Sequence, residues 1–204
     1  EKIPGVGVNL DRFAPDADVR RQWREKLGLS ESDIALLTVG ELHKGKNQQV
    51  VIQALAKAEI PSVQYFLCGK GEEEESLKKQ AEETGVSDRV HFLGYRKDIA
   101  EIMNACDVFA FMSLREGLSR ALLEAMANGK AVVCSRIRGN VDLIEDGRGG
   151  FIVENNAASV VDALKKLSKD RQLREAMGAY NIKAVDPFRE EKSLAANAKL
   201  IESL

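Results

Sequence analysis

Glu116 and Glu124, eight positions apart, bracket the stretch of this sequence best suited to chemistry. The apolar run Val108 to Met112 ahead of them reads as a buried strand. Behind it, Ala121, Leu122, Ala125 and Met126 recur at helical spacing. Gly117 and Ser119 are expected to open that helix, with Glu124 about two turns inside. A strand feeding a helix N-terminus leaves backbone N–H groups pointing outward, which suits an anionic ligand. Eight residues of helix rise about 12 Å. Carboxyl groups working as acid and base across one bond stand roughly 5–9.5 Å apart. The pair therefore reads as two grips on the hydroxyls of an extended ligand, with a diphosphate seated between them and a sugar at each end. A solvated helix face is the competing reading.

Other loops offer weaker chemistry. His43, Lys44 and Lys46 fall in the loop Gly40–Asn47, after the first expected strand, where lysine is a suitable point-charge partner for phosphate. Exposed basic loop residues are the alternative. Arg136 and Arg138, after the fifth strand, either face the same crevice or pair with Asp142 or Glu145. Gly69-Lys70-Gly71 invites a phosphate-loop reading, but the third glycine of a dinucleotide fingerprint is absent and Glu72 to Glu75 follow at once. Those carboxylates suit a helix N-terminus and would repel a phosphate there, so this segment reads as a tight turn before a solvated acidic helix. An NAD-binding domain is disfavoured accordingly. His91 alternates with Val90 and Phe92 and reads as structural. No His/Cys cluster offers metal ligands, and neither a metal nor a cofactor is expected.

These residues must be carried by a regular framework. The continuous apolar runs Ile34–Val39, Val63–Cys68, Arg89–Leu93, Val108–Met112, Ala131–Cys134 and Phe151–Val153 read as strands covered on both faces. Helical segments alternate with them: Val19–Leu27, Gln48–Lys57, an acidic helix ending near Gly85, Lys97–Ala105, and the helix after Ser119. Ala157–Leu167, Arg171–Tyr180 and Pro187–Leu204 read as three closing helices, of which the last two exceed what the sheet needs and are expected to pack elsewhere. The pattern predicts an α/β fold with a doubly wound parallel, Rossmann-like sheet, whose ligands bind at the carboxyl ends of the strands.

With 204 residues, a net charge of −2 and 44% hydrophobic residues, the chain suits one large globular domain with no general attraction to nucleic acid. Cys68, Cys106 and Cys134 are odd in number and set in or beside apolar runs, as reduced thiols of a cytoplasmic protein would be. The start at Glu1, running into Ile3-Pro4-Gly5-Val6-Gly7, reads as entry into a longer polypeptide at a linker.

Glu116-Gly117-Leu118-Ser119, Leu123-Glu124-Ala125-Met126-Ala127, Gly129 and Ala131-Val132-Val133 together resemble the E-x7-E segment of retaining family 4 glycosyltransferases. Ile3 to Val6, Leu10 to Phe13, Val39-Gly40, Lys46-Asn47, Gly69 to Gly71, Val90 to Gly94 and Gly150 to Val153 agree in order. The resemblance implies the GT-B architecture of two domains. This chain would be the C-terminal, donor-binding one, and the N-terminal acceptor domain would lie outside it. It further implies that Glu124 holds the nucleotide ribose and Glu116 the hydroxyls of the donor sugar. Gly117, Leu118 and Ser119 would line the diphosphate, Lys46 would meet the phosphates, and Gly94, Tyr95 and Arg96 the base. The co-substrate would be a nucleotide-diphosphate sugar, UDP-linked by expectation. The acceptor would be a glycan or a lipid-linked glycan, as in exopolysaccharide or capsule assembly, where Gly40-Glu41-Leu42 and Arg138-Gly139-Asn140 are familiar. Such a role places the full-length protein in the cytoplasm, peripheral at the inner face of the membrane. Two positions depart from the pattern. Glu41 stands where relatives usually carry arginine, and Ser119-Arg120 replace the more usual proline or glycine. A nucleotide-sugar epimerase of related fold, with His43 as its acid/base candidate, and a non-catalytic module that kept the fold remain alternatives.

Overall fold

Short apolar runs with no room for a polar face set the centre of the structure. In the computed structural model, which describes residues 7–195, they form β1 (Ile34–Val39), β2 (Val63–Cys68), β3 (Val90–Gly94), β4 (Val108–Phe111), β5 (Ala131–Ser135) and β6 (Gly150–Val153). All pair in parallel, in the order β3-β2-β1-β4-β5-β6. The helices between them are α1 (Ala17–Lys26), α2 (Gln49–Ala58), α3 (Glu74–Glu83), α4 (Ile99–Ala105), α5 (Arg120–Ala127), α6 (Arg138–Val141), α7 (Ala157–Lys169) and α8 (Arg171–Ala184). The doubly wound parallel sheet expected from the sequence is the observed fold.

Alternation along the strands makes two cores. Leu36, Tyr65, Leu67, Val108 and Val133 pack under α2, α3 and α7. Ala35, Leu37, Phe66, Phe109 and Val132 pack under α4 and α5 on the opposite face. A buried chain of hydrogen bonds crosses the middle: the Tyr65 hydroxyl donates to Thr38 Oγ1 (2.9 Å), which donates to the Ala110 carbonyl (2.8 Å). It satisfies polar groups that burial would otherwise leave costly. The three cysteines are buried free thiols.

The strand order turns back between β1 and β4, so the loops leaving these two strands diverge and open a crevice at their carboxyl ends. One wall of that crevice depends on close backbone approach. Gly40 N–H donates to the Cys68 carbonyl (2.9 Å), Leu42 N–H to Lys70 (3.0 Å) and Glu73 N–H to Leu42 (3.0 Å). A Cβ on Gly69 would stand 1.8 Å from the Gly40 carbonyl oxygen, and one on Gly71 2.2 Å from that of Leu42. The Gly-Lys-Gly segment is therefore a seam between loops rather than the tight turn expected, with the acidic helix following it. Gly69→Ala is expected to cost about 1–3 kcal/mol, the usual range for overpacking. A thermal melt reads this directly, and an unchanged midpoint would contradict the seam.

The closing helices differ from expectation. α8 lies on α5 and β5 and does not project away. Gly178 and Gly129 touch backbone to backbone there, and a Cβ on Gly178 would meet the Gly129 carbonyl at 2.1 Å. Asn181 Nδ2 donates to the carbonyls of Lys130 (2.8 Å) and Gly149 (2.7 Å). Two small residues and one buried amide seat the helix, a signal that apolar periodicity does not carry. Pro187 belongs to a one-turn 3-10 helix, Asp186–Phe188, and the last helix begins only at residue 190. Val8 bridges this region, its N–H donating to Phe188 and its carbonyl accepting from Glu190. Ile3 to Val6, Gly5 among them, and the end of the last helix lie outside the described residues.

Candidate active site at the carboxyl edge

The loop after β1 is short of apolar residues apart from Leu42, which is buried, and it turns through a 3-10 helix at Lys44–Lys46. His43 caps that turn, its Nδ1 accepting from Gly45 N–H at 3.0 Å, so its ring serves local geometry. Lys44 is exposed. Glu41 is exposed too, and its carbonyl is held by Gln48 Nε2 at 2.9 Å. The Gly45 carbonyl accepts from Leu114 N–H (2.8 Å), which ties this loop to the one leaving β4.

Across that tie Lys46 and Glu116 meet. The ammonium and carboxylate form an ion pair, with their side chains only 22% and 16% exposed. Lys46 Nζ also lies 5.3 Å from the Phe111 ring centroid, a cation–π contact that holds it at the end of β4. Residues that the resemblance assigned to phosphate and to sugar are thus one partly buried pair.

The helix begins later than expected. Ser119 is its N-cap, with Oγ accepting from Leu122 N–H at 3.4 Å, and α5 starts at Arg120. Serine is a strong cap because its hydroxyl satisfies an orphan N–H of the first turn. Gly117 and Glu116 are therefore loop residues, and the helical rise between Glu116 and Glu124 does not apply to the whole interval. Glu124 is the fifth residue of α5. Its carboxyl is largely withdrawn from water, which pushes its pKa up to about 7, with Arg120 and Arg12 opposing the shift. Arg12 itself donates to the Lys97 carbonyl at 3.2 Å and so connects Glu124 to the loop after β3.

That loop carries the expected base contacts. Gly94 has φ +66°, and its carbonyl accepts from Gly69 N–H at 2.8 Å. Tyr95 is 70% exposed. Arg96 Nε donates to Asp98 Oδ1 at 2.8 Å, and the guanidinium lies 5.9 Å from the Trp23 ring centroid, so it is oriented by its own loop.

A cleft of about 670 Å³ separates Glu116, Gly117 and Leu118 from Arg138, Gly139 and Asp142. The short helix α6, which periodicity did not reveal in four residues, forms its second wall. A Cβ on Gly139 would stand 2.0 Å from the Gly117 carbonyl oxygen, which explains glycine at that position. Beneath it, Ser135 Oγ donates to the Ser113 carbonyl (2.6 Å), and Asn140 Nδ2 donates to Ser135 O (2.9 Å). Ser113 Oγ and Asn140 Oδ1 are buried with no partner among the described residues.

Several expectations resolve differently or more sharply. Arg138 lines the cleft, whereas Arg136 turns outward to Glu154 (3.1 Å) and Asp146 (3.8 Å), neither of the partners the sequence suggested. His91 is structural, stacked 4.7 Å from Phe66 and bonded to Gln64 (2.9 Å). Asp16 caps α1, its Oδ1 accepting from Asp18 and Val19 N–H, both at 2.9 Å. Among the described residues no group of three or more His, Cys, Asp or Glu could hold a metal ion. Sequence reasoning missed Arg12 as a site neighbour, because nothing in its spacing links it to Glu124.

The raised pKa of Glu124 has a stability consequence. A carboxyl whose folded pKa exceeds its unfolded value favours the fold at low pH, and that contribution is lost as pH rises through about 7. Glu124→Gln is therefore expected to melt higher than wild type at about pH 8, with the gap closing below about pH 4.5, the ordinary value for a glutamate. Parallel melting curves across that window check it, and a pH-independent difference would contradict it.

Known proteins share this fold. The model of the family described as glycosyl transferases group 1 matches residues 19–184. The chain is 34% identical over 216 residues to a D-inositol 3-phosphate glycosyltransferase of Corynebacterium jeikeium, covering 100% of this chain and 52% of that protein. It is 32% identical to an Escherichia coli UDP-Gal:alpha-D-GlcNAc-diphosphoundecaprenol alpha-1,3-galactosyltransferase, covering 82% and 46%. Among solved structures, Anabaena Alr3699/HepE in complex with UDP and glucose superposes with a TM-score of 0.91 at 27% identity, covering 97% of this chain and 56% of that one. The chain spans about half the length of the curated relatives it matches.

Proposed function

Because the chain belongs to the glycosyl transferases group 1 family, we propose that it is the donor-binding half of a two-domain enzyme. That enzyme would transfer a sugar from a nucleotide diphosphate, UDP by first choice, to a glycan or lipid-linked acceptor with retention of configuration. The acceptor surface would belong to an N-terminal domain beyond this chain. The observation that carries the reading is the Lys46–Glu116 ion pair at the switch-point crevice, ahead of the Ser119-capped helix that carries the desolvated Glu124. UDP and glucose in the Anabaena relative, and the diphosphate-linked lipid in the E. coli relative's name, support the ligand class.

In this reading the diphosphate lies against the N–H groups of Gly117, Leu118 and Ser119, at the positive end of α5. Lys46 supplies the cation that stabilises the leaving diphosphate, in the manner of preorganised charge at a developing anion. Glu116 accepts from sugar hydroxyls and Glu124 from the ribose. Tyr95 and Arg96, beside Gly94, border the base. Arg138 approaches the sugar or phosphate from α6. Lys46 and Glu116 satisfy each other without ligand, so donor binding must divide them between phosphate and sugar. His43, the acid/base candidate for an epimerase, already uses Nδ1 in capping its own turn. Among the described residues no helix is long and apolar enough to cross a membrane, and peripheral association is proposed for the full-length protein.

Calorimetric titration of UDP and of uridine separates the parts. Lys46→Ala is expected to weaken UDP by about tenfold or more, the effect of one charge-assisted bond, while changing uridine little. Equal losses for both ligands would remove Lys46 from the phosphates. No binding of UDP or UDP-sugars by the wild-type protein would instead favour a non-catalytic module.

A further inference from the structure

A second cavity, of about 710 Å³, lies at the opposite edge of the sheet. Its wall is built from the residues just before β1, β4 and β5, together with α1 and α8. Strands of four to six residues separate it from the crevice above by roughly 13–20 Å. Its chemistry is unlike that of the carboxyl edge. Asp107 sits at the centre, with Oδ1 2.7 Å from Arg20 Nη2 and Oδ2 3.2 Å from Arg24 Nη1. Asp107 Oδ2 also accepts the Ala35 N–H at 2.8 Å, so both oxygens are engaged.

Two further cations, Lys130 and Arg174, line the same space and form no ion pair among the described residues. Lys130 is 8% exposed, and its ammonium donates to the Cys106 carbonyl at 3.0 Å, using one of three protons. Burial pushes its pKa down to about 8, the Arg20 guanidinium adding to the shift and Asp107 opposing it. Arg174 is half-buried, donates to the Leu167 carbonyl, and is likewise lowered by burial. Asn128, 1% exposed, lines the same cavity with Oδ1 buried and unpartnered among the described residues. The remaining acids on the rim are partly engaged. Asp33 Oδ2 accepts from Ser30 N–H and Oγ–H, both at 2.7 Å, and Glu175 pairs with Arg171 at 2.7 Å. Glu31 is exposed. The lining carries five cations, Arg20, Arg24, Lys130, Arg171 and Arg174, against four carboxylates, Glu31, Asp33, Asp107 and Glu175, a local excess of one positive charge in a chain of net charge −2.

We propose that this cavity, walled by Arg20, Arg24, Lys130 and Arg174 around Asp107, is a second ligand site that takes a small phosphate-bearing anion. Lys130 and Arg174 are its direct contacts. Arg20 and Arg24 are fixed by Asp107 and contribute field. The site stands apart from the donor crevice and does not depend on it.

Inorganic phosphate is the probe, titrated at constant ionic strength and followed by backbone amide resonances. The expected result is saturable movement of Gly129, Lys130, Arg174 and Gly178, with affinity falling about tenfold or more in Arg174→Met. Lys130→Met is the stronger substitution, but Lys130 is buried and its loss could disturb folding. Arg174, at the half-exposed face of α8, keeps the test readable through its own melting curve. Resonance changes confined to Gly117 and Gly139 would overturn the proposal. So would equal phosphate affinity in folded Arg174→Met and wild type.

Discussion

Glu124→Ala is expected to weaken UDP binding by about tenfold or more while the variant stays folded. A hydrogen bond to a charged or ionisable group is worth about 1.5–3 kcal/mol, and each 1.4 kcal/mol is tenfold in affinity. The effect should sit in the nucleoside, in contrast to Lys46→Ala: uridine should lose as much as UDP. Glu124 lies in the second turn of α5, its carboxyl withdrawn from water and within the field of Arg12. A ribose arriving there would supply hydroxyl partners that water now supplies poorly. The fold should not suffer, because loss of the carboxyl removes a desolvated group and no ion pair of Glu124 is recorded among the described residues. Titration calorimetry of both ligands, with a melting curve for each protein, measures the difference. Equal affinity in wild type and variant would end the ribose assignment.

The largest loss of stability is expected at Asp107→Ala. This carboxylate, 11% exposed, joins α1 to the start of β1 and β4 through Arg20, Arg24 and the Ala35 N–H. Removing one partner of a buried network leaves the others desolvated and unpaired, at about 3–5 kcal/mol. In a domain of this size each kcal/mol moves the melting midpoint by roughly 2–4 °C. A midpoint lowered by less than the smaller of these products would show that the arginines find other partners, their carbonyl contacts at Cys106 and Ala105 being the nearest.

How much was legible beforehand follows from which forces leave a periodic trace. The six strands were readable because burial on both faces admits only continuous apolar runs, and their alternation with helices fixed a parallel sheet. The carboxyl-edge loops followed from that fold, which is how Lys46, Glu116, Gly117 and Arg138 could be selected together. The pairing of Lys46 with Glu116 is not readable, since the two loops lie far apart in sequence and are brought together by the fold, with the Leu114–Gly45 hydrogen bond tying them. The onset of α5 is later than the sequence suggests: Gly117 and Ser119 are expected to open it, whereas a serine hydroxyl turned back on Leu122 makes Ser119 the boundary. α6 and the seat of α8 rest on glycines packed against carbonyls and on single buried asparagines, Asn140 and Asn181. Those are one-residue signals without period. The amino-edge cations are scattered over Arg20, Arg24, Lys130 and Arg174, and only the fold assembles them.

The central claim is that the crevice between the ends of β1 and β4 holds a nucleotide-diphosphate sugar. Backbone hydrogen exchange of the whole chain, with and without saturating UDP, tests it most directly. Slowed exchange is expected at Gly117, Leu118 and Ser119, at the first turn of α5, and at Tyr95 to Lys97, with the amino edge around Lys130 unchanged. Binding of UDP that leaves residues 117–124 exchanging as before, or protects the amino edge in their place, would contradict it.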